Sequence, residues 1–199
     1  DEEENKIGDK LHKKIIKGKK IIKDYKFDVN KVFEKIKSQT KRNKINYSYT
    51  IIKDDDVNAF AVAGGNIYIH SGLIDYLETE DELAFVIAHE IAHVELKHCI
   101  KKVQYSAIVS KVNPTLGELV QVAYSVYSLP FSKEQELEAD SVAIDLMKKS
   151  NYDKKGAISF FRKLQRLEKN YKRGNVIDLN DFISTHPNTE ERINKIKSY

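Results

Sequence analysis

Residues 80–95 read EDELAFVIAHEIAHVE, and this stretch decides the fold of the chain. Thr79, directly before this stretch, and Glu82, three residues after Thr79, form a capping box. This predicts that a helix begins here. The apolar pattern continues to about residue 104, where we expect the helix to end. From Leu83 to Val94 the helix is apolar on most sides, so we expect it to run through the core.

The same helix contains His89-Glu90-Ile91-Ala92-His93. Residues i and i+4 lie one turn apart on one helix face, so both imidazoles can reach one ion at about 2.0–2.1 Å. Glu90 reaches a water molecule bound to that ion. If the ion is zinc, it lowers the pKa of this water to about 7, and Glu90 takes the proton. Polar groups in an apolar stretch need compensation, and a metal supplies it. The alternative is that the histidines reach the surface or find hydrogen bonds in the core.

A third zinc ligand is sought on the helix predicted over 133–149, whose capping box is Ser132 with Gln135. Glu136 and Asp140 lie one turn apart on this helix and share a face. Glu136 is the best candidate ligand, and Asp140 is placed to accept the remaining N–H of His89. The spacing leaves Glu134 and Glu138 open as ligands, and an acidic helix is commonly just a solvated face.

Two further residues near the motif are assigned no metal role. His98 points off the ligand face and is interpreted as a surface residue. Cys99 is interpreted as a core residue, and as the single cysteine of the chain it excludes an internal disulfide and a cysteine-based zinc site.

The remaining pattern predicts an α+β fold, mostly helical, with a small three-stranded antiparallel sheet next to the active-site helix. Residues 5–40 are predicted to form one or two amphipathic helices. Strands are predicted at 45–53, 58–62 and 66–70, the last two joined at Gly64-Gly65. Further helices are predicted over 71–77, 116–128, 154–169 and from Pro187 to about 197, with a loop at 170–185.

Three stretches together carry a family resemblance: His89-Glu90-x-x-His93, Glu136-x-x-x-Asp140, and residues 185–193, which read THPNTEERI. They resemble the signatures of the HtpX-like zinc metallopeptidases, over about residues 45–199. The resemblance is to the branch without membrane-spanning helices, and it departs at Ala63, where the family commonly has proline. It implies a zincin-like fold of the gluzincin type, one Zn²⁺ per chain held by His89, His93 and Glu136, and Glu90 as the general base.

The third signature places His186 and Arg192 near the metal. His186 is predicted to act in catalysis by donating a hydrogen bond to the oxyanion of the tetrahedral intermediate. The resemblance also allows it to occupy the open zinc position and hold the enzyme closed, and a helix cap is the plain alternative. Arg192 is predicted to pair with an acidic residue near the site, or to form a surface salt bridge.

Zinc peptidases hold an extended peptide against a strand edge. The strand at 66–70 leads into the active-site helices, so we expect it to be that edge. Asn58, Asn66 and Tyr68 are the predicted substrate-binding residues. The apolar helix at 116–128 is core, or a lid over the cleft.

The charge is unevenly distributed. The chain carries 34 basic and 30 acidic side chains, a net charge of +4: residues 1–44, with 15 basic and 8 acidic side chains, contribute +7, and residues 45–199, with 19 and 22, contribute −3. This basic helical segment is a solvated surface or a membrane-surface contact, and no nucleic-acid partner is expected. Residues 1–199 are predicted to be one catalytic domain, with the basic segment at 1–44, the small sheet at 45–74 and the helical zinc-binding part at 75–199.

The function predicted from these features is a zinc-dependent metalloendopeptidase that hydrolyses unfolded or misassembled proteins. One alternative is a zinc-containing peptide-binding or chaperone-like quality-control protein with latent protease activity, and another is a basic surface-binding protein acting through residues 10–44. We expect an exported protein of the periplasm or cell envelope, lipid-anchored before trimming, because the sequence starts at Asp1, has no disulfide and resembles exported relatives. The oligomeric state stays open.

Overall fold

The computed structural model describes residues 1–23, 25–109, 115–171, 180–187 and 189–199. Within them, ten helices surround a four-stranded sheet, which agrees with the predicted mostly helical α+β class. The helices are α1 (Glu2–Ile15), α2 (Val29–Lys37), α3 (Ser71–Tyr76), α4 (Glu80–Glu95), α5 (His98–Val109), α6 (Leu116–Val126), α7 (Lys133–Lys149), α8 (Lys155–Tyr171), α9 (Asn180–Thr185) and α10 (Thr189–Ser198). The strands are β1 (Ile21–Ile22), β2 (Ser48–Ile52), β3 (Ala59–Ala61) and β4 (Asn66–His70).

Helix α4 is the central element. The Thr79 side chain accepts a hydrogen bond from the Glu82 backbone N–H and so caps its first turn. Every residue from Glu82 to Val94 is buried, because the helix is covered by α2, α7, α8 and the sheet. The prediction of a helix running through the core is confirmed.

The predicted continuation of this helix to residue 104 is wrong. Helix α4 ends at Glu95, and Lys97 adopts the left-handed conformation with a φ of 61°. Helix α5 then starts at His98 in a new direction. Apolar periodicity continues across the break, so the sequence pattern does not reveal it.

The sheet has the strand order β1-β2-β4-β3. β1 and β2 are antiparallel, β2 and β4 are parallel, and β3 and β4 form an antiparallel hairpin. The predicted three-stranded, wholly antiparallel sheet is therefore corrected to four strands of mixed direction. β4 is also not the edge strand, because the hairpin inserts it between β2 and β3 and leaves β3 outermost. Strand period alone gives neither direction nor neighbours.

The Gly64-Gly65 turn of this hairpin is confirmed, with φ values of 91° and 84° that only glycine adopts readily. It also lets α1 approach closely. A Cβ built on Gly64 would lie 2.7 Å from Cα of Gly8 in α1. The basic N-terminal segment thus packs on the sheet, and the Glu4 side chain accepts a hydrogen bond from the Gly64 N–H.

Two other predictions change. Residues 5–40 hold two helices, α1 and α2, but the short strand β1 lies between them. Of the predicted loop at 170–185, residues 170–171 end α8 and residues 180–185 form α9, whereas residues 172–179 lie outside the described residues. No helix of the described chain is long and apolar enough to cross a membrane.

Candidate metal centre

Four segments bring the proposed site residues together. Helix α4 carries His89, Glu90 and His93 on its last two turns. Helix α7, which packs along α4, presents two acidic side chains one turn apart. The residue after α9 and one residue of α10 complete the cluster. All of these side chains are buried; beyond the α4 residues they are Glu136, Asp140, His186 and Arg192.

The α7 residues are positioned by the start of their helix. Ser132 and Gln135 form a complete capping box, in which each side chain accepts a hydrogen bond from the backbone N–H of the other residue. This fixes where the helix begins and therefore which side chains face α4. Glu136 and Asp140 both lie on that face, whereas Glu134 and Glu138 are exposed. The structure thus separates the acidic residues that the spacing alone had left open.

The histidine and glutamate atoms are arranged around one point. His89 Nε2 lies 3.1 Å from His93 Nε2 and 3.3 Å from Glu136 Oε2. Glu136 Oε1 is 3.4 Å from His93 Nε2 and 3.0 Å from His186 Nδ1. Two ligands of a tetrahedral zinc ion, each at about 2.0–2.1 Å, lie roughly 3.3–3.4 Å apart. The His89, His93 and Glu136 donors therefore fit such an ion, and His186 is placed to provide a fourth donor.

The Glu90 carboxylate gives a second indication of fit. Both of its oxygens are buried and have no hydrogen-bond partner within the described residues. His186 Nε2 lies 3.5 Å from Glu90 Oε1, beyond good hydrogen-bonding distance for that pair. A buried carboxylate without a partner is costly, so this site is built for a group other than the side chains around it.

Burial and neighbouring charges act on these groups in different directions. Burial raises the pKa of Glu90 above its ordinary value, which His186 and His89 oppose. Burial also disfavours the ionised form of Glu136, but His186 and Arg192 hold its pKa well below the usual range. Glu136 is therefore a carboxylate, as a ligand must be, and Glu90 has the raised proton affinity of a general base.

Behind the cluster, Asp140 joins one ligand to a buried guanidinium. Asp140 Oδ1 lies 3.0 Å from His89 Nδ1. Arg192, only 1% exposed, donates from Nε and Nη2 to the two oxygens of Asp140, each at 2.7 Å. Its Nη1 lies 2.8 Å from Glu136 Oε2. The guanidinium thus fixes two carboxylates at once, and Asp140 turns the Nε2 lone pair of His89 toward the ion position.

The prediction that His98 lies at the surface is wrong. The left-handed turn at Lys97 folds His98 back under the site, where it is buried. Its Nδ1 lies 3.0 Å from His93 Nδ1, and its Nε2 lies 3.2 Å from Glu138 Oε2. If Nε2–H of His98 donates to Glu138, its Nδ1 accepts from His93, whose Nε2 is then unprotonated and faces the ion position. The sequence reasoning missed this relay, although the need of a ligating histidine for a second partner is a signal for it. Cys99 is buried, as predicted.

The cluster is closed by aromatic packing. The ring of Phe131 stacks on His93, with ring centroids 3.9 Å apart, and the Lys102 ammonium lies 3.5 Å from the centroid of the Phe131 ring. The backbone N–H of Phe131 donates to the carbonyl of Thr185, next to His186. Two chain segments therefore meet over the cluster, and its side chains are hidden from solvent in this arrangement.

The predicted substrate-binding residues lie elsewhere. The Asn66 amide oxygen accepts a hydrogen bond from the Ser48 hydroxyl. Tyr68 is fully buried, with its hydroxyl 2.9 Å from His12 Nδ1. Asn58 is buried directly before β3 and borders a separate cavity. None of these three side chains contacts the metal-ligand cluster in the described contacts, and β4, from which two of them project, is not the sheet edge.

Comparison with known proteins gives a consistent answer. The model of peptidase family M48 matches residues 25–199. The chain is 28% identical over 179 residues to the mitochondrial metalloendopeptidase OMA1 of Schizosaccharomyces pombe, covering 86% of this chain and 52% of that protein. It is 28% identical over 184 residues to the β-barrel assembly-enhancing protease of Escherichia coli, covering 83% and 37%.

Metalloprotease LoiP of Escherichia coli is 32% identical over 162 residues, which cover 75% of this chain and 61% of that protein. The chain thus spans between about a third and three fifths of the length of these relatives. The family match covers most of the chain and includes every residue of the buried His/His/Glu cluster. The chain therefore belongs to peptidase family M48.

Proposed function

We propose that this chain is a zinc-dependent metalloendopeptidase in which His89, His93 and Glu136 hold one Zn²⁺. The observation that carries the proposal is the buried triangle of His89 Nε2, His93 Nε2 and Glu136, with the unpartnered Glu90 carboxylate beside it. This donor set, two imidazoles and one carboxylate, is the type found in catalytic zinc sites. Membership of peptidase family M48 supports the same reading.

The reaction is addition of water to a peptide carbonyl. When bound, zinc supplies a Lewis acid that polarises the carbonyl and lowers the pKa of water to about 7. Glu90 takes one proton from the attacking water while the water oxygen bonds to the carbonyl carbon. Glu90 then delivers that proton to the nitrogen of the leaving amine as the C–N bond breaks. Its raised pKa suits this exchange.

Asp140 and Arg192 are positioning residues in this proposal. Asp140 keeps the Nε2 of His89 directed at the ion, and the Arg192 guanidinium anchors both Asp140 and Glu136. On the other side, His98 and Glu138 do the same for His93. Each ligand therefore has a partner that restricts its rotation, which a catalytic geometry requires.

The substrate would pair with β3, the outermost strand nearest α4. In the hairpin, Asn58 and Val62 exchange backbone hydrogen bonds with β4, so the intervening Ala59 and Ala61 direct their backbone groups to the other side. An extended peptide can add there as a further strand. Ala59 and Ala61 are buried in this arrangement, so binding requires the covering segments to move.

His186 favours the second candidate, a zinc-holding peptide-binding or chaperone-like protein with latent protease activity. Its Nδ1 lies within the donor cluster, 3.0 Å from Glu136 Oε1 and 3.3 Å from His89 Nε2. A fourth protein donor fills the position that a catalytic zinc site keeps open. In the peptidase, His186 must withdraw, after which its ring can donate a hydrogen bond to the oxyanion.

Cleavage of casein by the zinc-loaded chain separates these candidates. We expect Glu90→Gln to lower the rate by about 10²–10⁴-fold with zinc content unchanged. Glu134→Gln, on the same kind of side chain but exposed on α7, is the matched control and should retain the rate. A faster rate in His186→Ala supports a latent peptidase. No cleavage by the wild type or by His186→Ala, with zinc bound, contradicts the peptidase and leaves the binding protein.

The substrate class and location belong to the same proposal. We propose unfolded or misassembled proteins as substrates, which the name of the β-barrel assembly-enhancing protease supports by relating one relative to assembly. Preference for reduced, unfolded proteins over their native forms tests this. We also propose export to the cell envelope, although the OMA1 relatives are named mitochondrial, and cell fractionation tests it.

The basic segment 1–44 remains a candidate membrane-surface contact, and residues 1–199 are proposed as one catalytic domain. Packing of Gly8 on Gly64 supports the single domain, because it joins α1 to the sheet. Binding to anionic vesicles that weakens with salt would support the surface contact. Nucleic-acid binding is not part of the proposal.

A further inference from the structure

The loop from β2 to β3 reads Asp54-Asp55-Asp56-Val57-Asn58. The first, third and fifth residues border one cavity of about 400 Å³, which Asp55 and Val57 do not line. This is the D-x-D-x-N spacing by which metal-binding loops direct side-chain oxygens from alternate positions to one ion. Three residues with side-chain oxygens therefore border one space.

A nitrogen donor lies at the same place. His70, the last residue of β4, borders the cavity and is buried. Its Nδ1 lies 3.7 Å from Asp54 Oδ1, and donor atoms of Asp54, Asp56 and His70 all lie within 4.8 Å of one another. This group shares no residue with the cluster around His89.

Asn58 provides an independent indication of a ligand. It is only 8% exposed, and its amide oxygen Oδ1 has no hydrogen-bond partner within the described residues. A buried amide oxygen without a partner costs about 1–3 kcal/mol. Asn58 borders the same cavity as Asp54, Asp56 and His70, and a cation held by these residues would satisfy its amide oxygen.

The backbone holds this loop in place. The Ser71 hydroxyl accepts from the Asp54 N–H and donates to the Asp54 carbonyl, at 3.1 and 2.8 Å. The Gly72 N–H donates to the same carbonyl, and the His70 N–H donates to the Asn58 carbonyl. Because these contacts already order the loop, binding of an ion does not require a further loss of conformational entropy from its ligands.

We propose that Asp54, Asp56, Asn58 and His70 form a second site for a divalent cation, separate from the proposed catalytic centre. Carboxylate and amide oxygens suit Mg²⁺, Ca²⁺ and Mn²⁺, and an imidazole favours a transition metal, so the mixed set fits Mn²⁺ better than Ca²⁺ or Mg²⁺. The Lys19 ammonium lies 3.6 Å from Asp54 Oδ2 and competes with the ion for that carboxylate. The site goes beyond the proposed peptidase function and does not depend on it.

Mn²⁺ binding to zinc-loaded protein tests the proposal. Zinc in the catalytic cluster resists exchange, because zinc binds such sites more tightly than Mn²⁺. The signal of free Mn²⁺ in electron paramagnetic resonance gives the bound fraction, and zinc content is measured in the same samples. We expect one Mn²⁺ per chain. Asp56→Asn and His70→Gln should each lower the Mn²⁺ affinity at least tenfold, and Lys19→Gln should raise it.

Asp55→Asn is the matched control, since it removes the same charge from the same loop without touching the cavity. We expect its Mn²⁺ affinity to stay within about twofold of the wild type. Circular dichroism establishes that each variant is folded. The proposal is overturned if the wild type binds no Mn²⁺ beyond its zinc, or if Asp56→Asn and Asp55→Asn weaken it equally. The assignment of His70 is also overturned if Ca²⁺ binds more tightly than Mn²⁺ and His70→Gln leaves the Ca²⁺ affinity unchanged.

Discussion

Arg192 offers the sharpest test of how the buried centre is held together. Its guanidinium makes a bidentate interaction with Asp140 and an ion pair with Glu136, and its flat face lies over the Phe161 ring. Replacement by methionine keeps much of the volume and the apolar contact but removes the charge. Two buried carboxylates then lose their counter-charge. Leaving these charges buried and uncompensated costs more free energy of folding than the loss of the hydrogen bonds alone.

The expected cost follows from the burial. Removing one partner of a buried ion pair costs about 3–5 kcal/mol, because the remaining charge stays desolvated. For metal-free Arg192→Met, this predicts an unfolding equilibrium constant raised by about 10²–10³·⁵. Arg192→Lys should cost less, since lysine keeps the charge but cannot form the bidentate interaction. Arg162→Met, at an exposed position of α8, should change stability by less than about 0.5 kcal/mol.

Urea unfolding in the presence of chelator, followed by far-ultraviolet circular dichroism, measures these differences. A double-mutant cycle with Asp140→Asn isolates the pair, and the double variant should lose about 1–3 kcal/mol less than the sum of the single losses. A loss below about 1 kcal/mol in Arg192→Met, or additive losses in the cycle, would refute the reasoning.

Three further predictions concern other parts of the molecule. Gly64→Ala should destabilise the protein by more than about 1 kcal/mol in urea unfolding, because of its positive φ and the nearby Gly8 backbone. Gly117→Ala in helix α6, where a Cβ would meet only Thr115 Oγ1 at 3.9 Å, should stabilise it slightly. Lys97→Gly should raise stability by about 1 kcal/mol by relieving the left-handed conformation, and Lys101→Gly within α5 should lower it by a similar amount. His98→Ala should weaken zinc binding about 10–100-fold in chelator competition, while His12→Ala, remote from the cluster, should not.

Local signals in the sequence predicted the helices that carry the proposed metal ligands. The capping residues Thr79 and Ser132 set the first turns of α4 and α7, and these in turn set which side chains face each other. The i, i+4 spacings then placed His89 with His93, and Glu136 with Asp140, on shared faces. These predictions succeed because capping and side-chain direction depend on a few neighbouring residues.

Features that depend on distant parts of the chain were not predictable in this way. The break at Lys97 interrupts a continuous apolar pattern, and so the role of His98 was missed. The position of β4 between two strands depends on how the hairpin docks on β2. All five residues of β4 are buried, so its sequence does not indicate whether it pairs parallel or antiparallel with its neighbours. Glu138 is exposed yet reaches His98, a contact that only the packing of α5 near α7 creates.

The charges around the centre explain why a divalent cation suits it. Three buried carboxylates, those of Glu90, Glu136 and Asp140, surround neutral imidazole ligands, and the guanidinium of Arg192 is the one fully charged cation that the described contacts place against them. With every carboxylate ionised, the group carries a net charge of minus two, which is unstable in a dry interior. Without a metal, protonation relieves this charge: burial raises the pKa of Glu90, and the pKa of His89 is raised against the effect of its burial by the Asp140 and Glu136 carboxylates. A doubly charged ion held by the proposed ligands would remove the need for those protons, and would leave Glu90 able to accept one from water, as the proposed function requires.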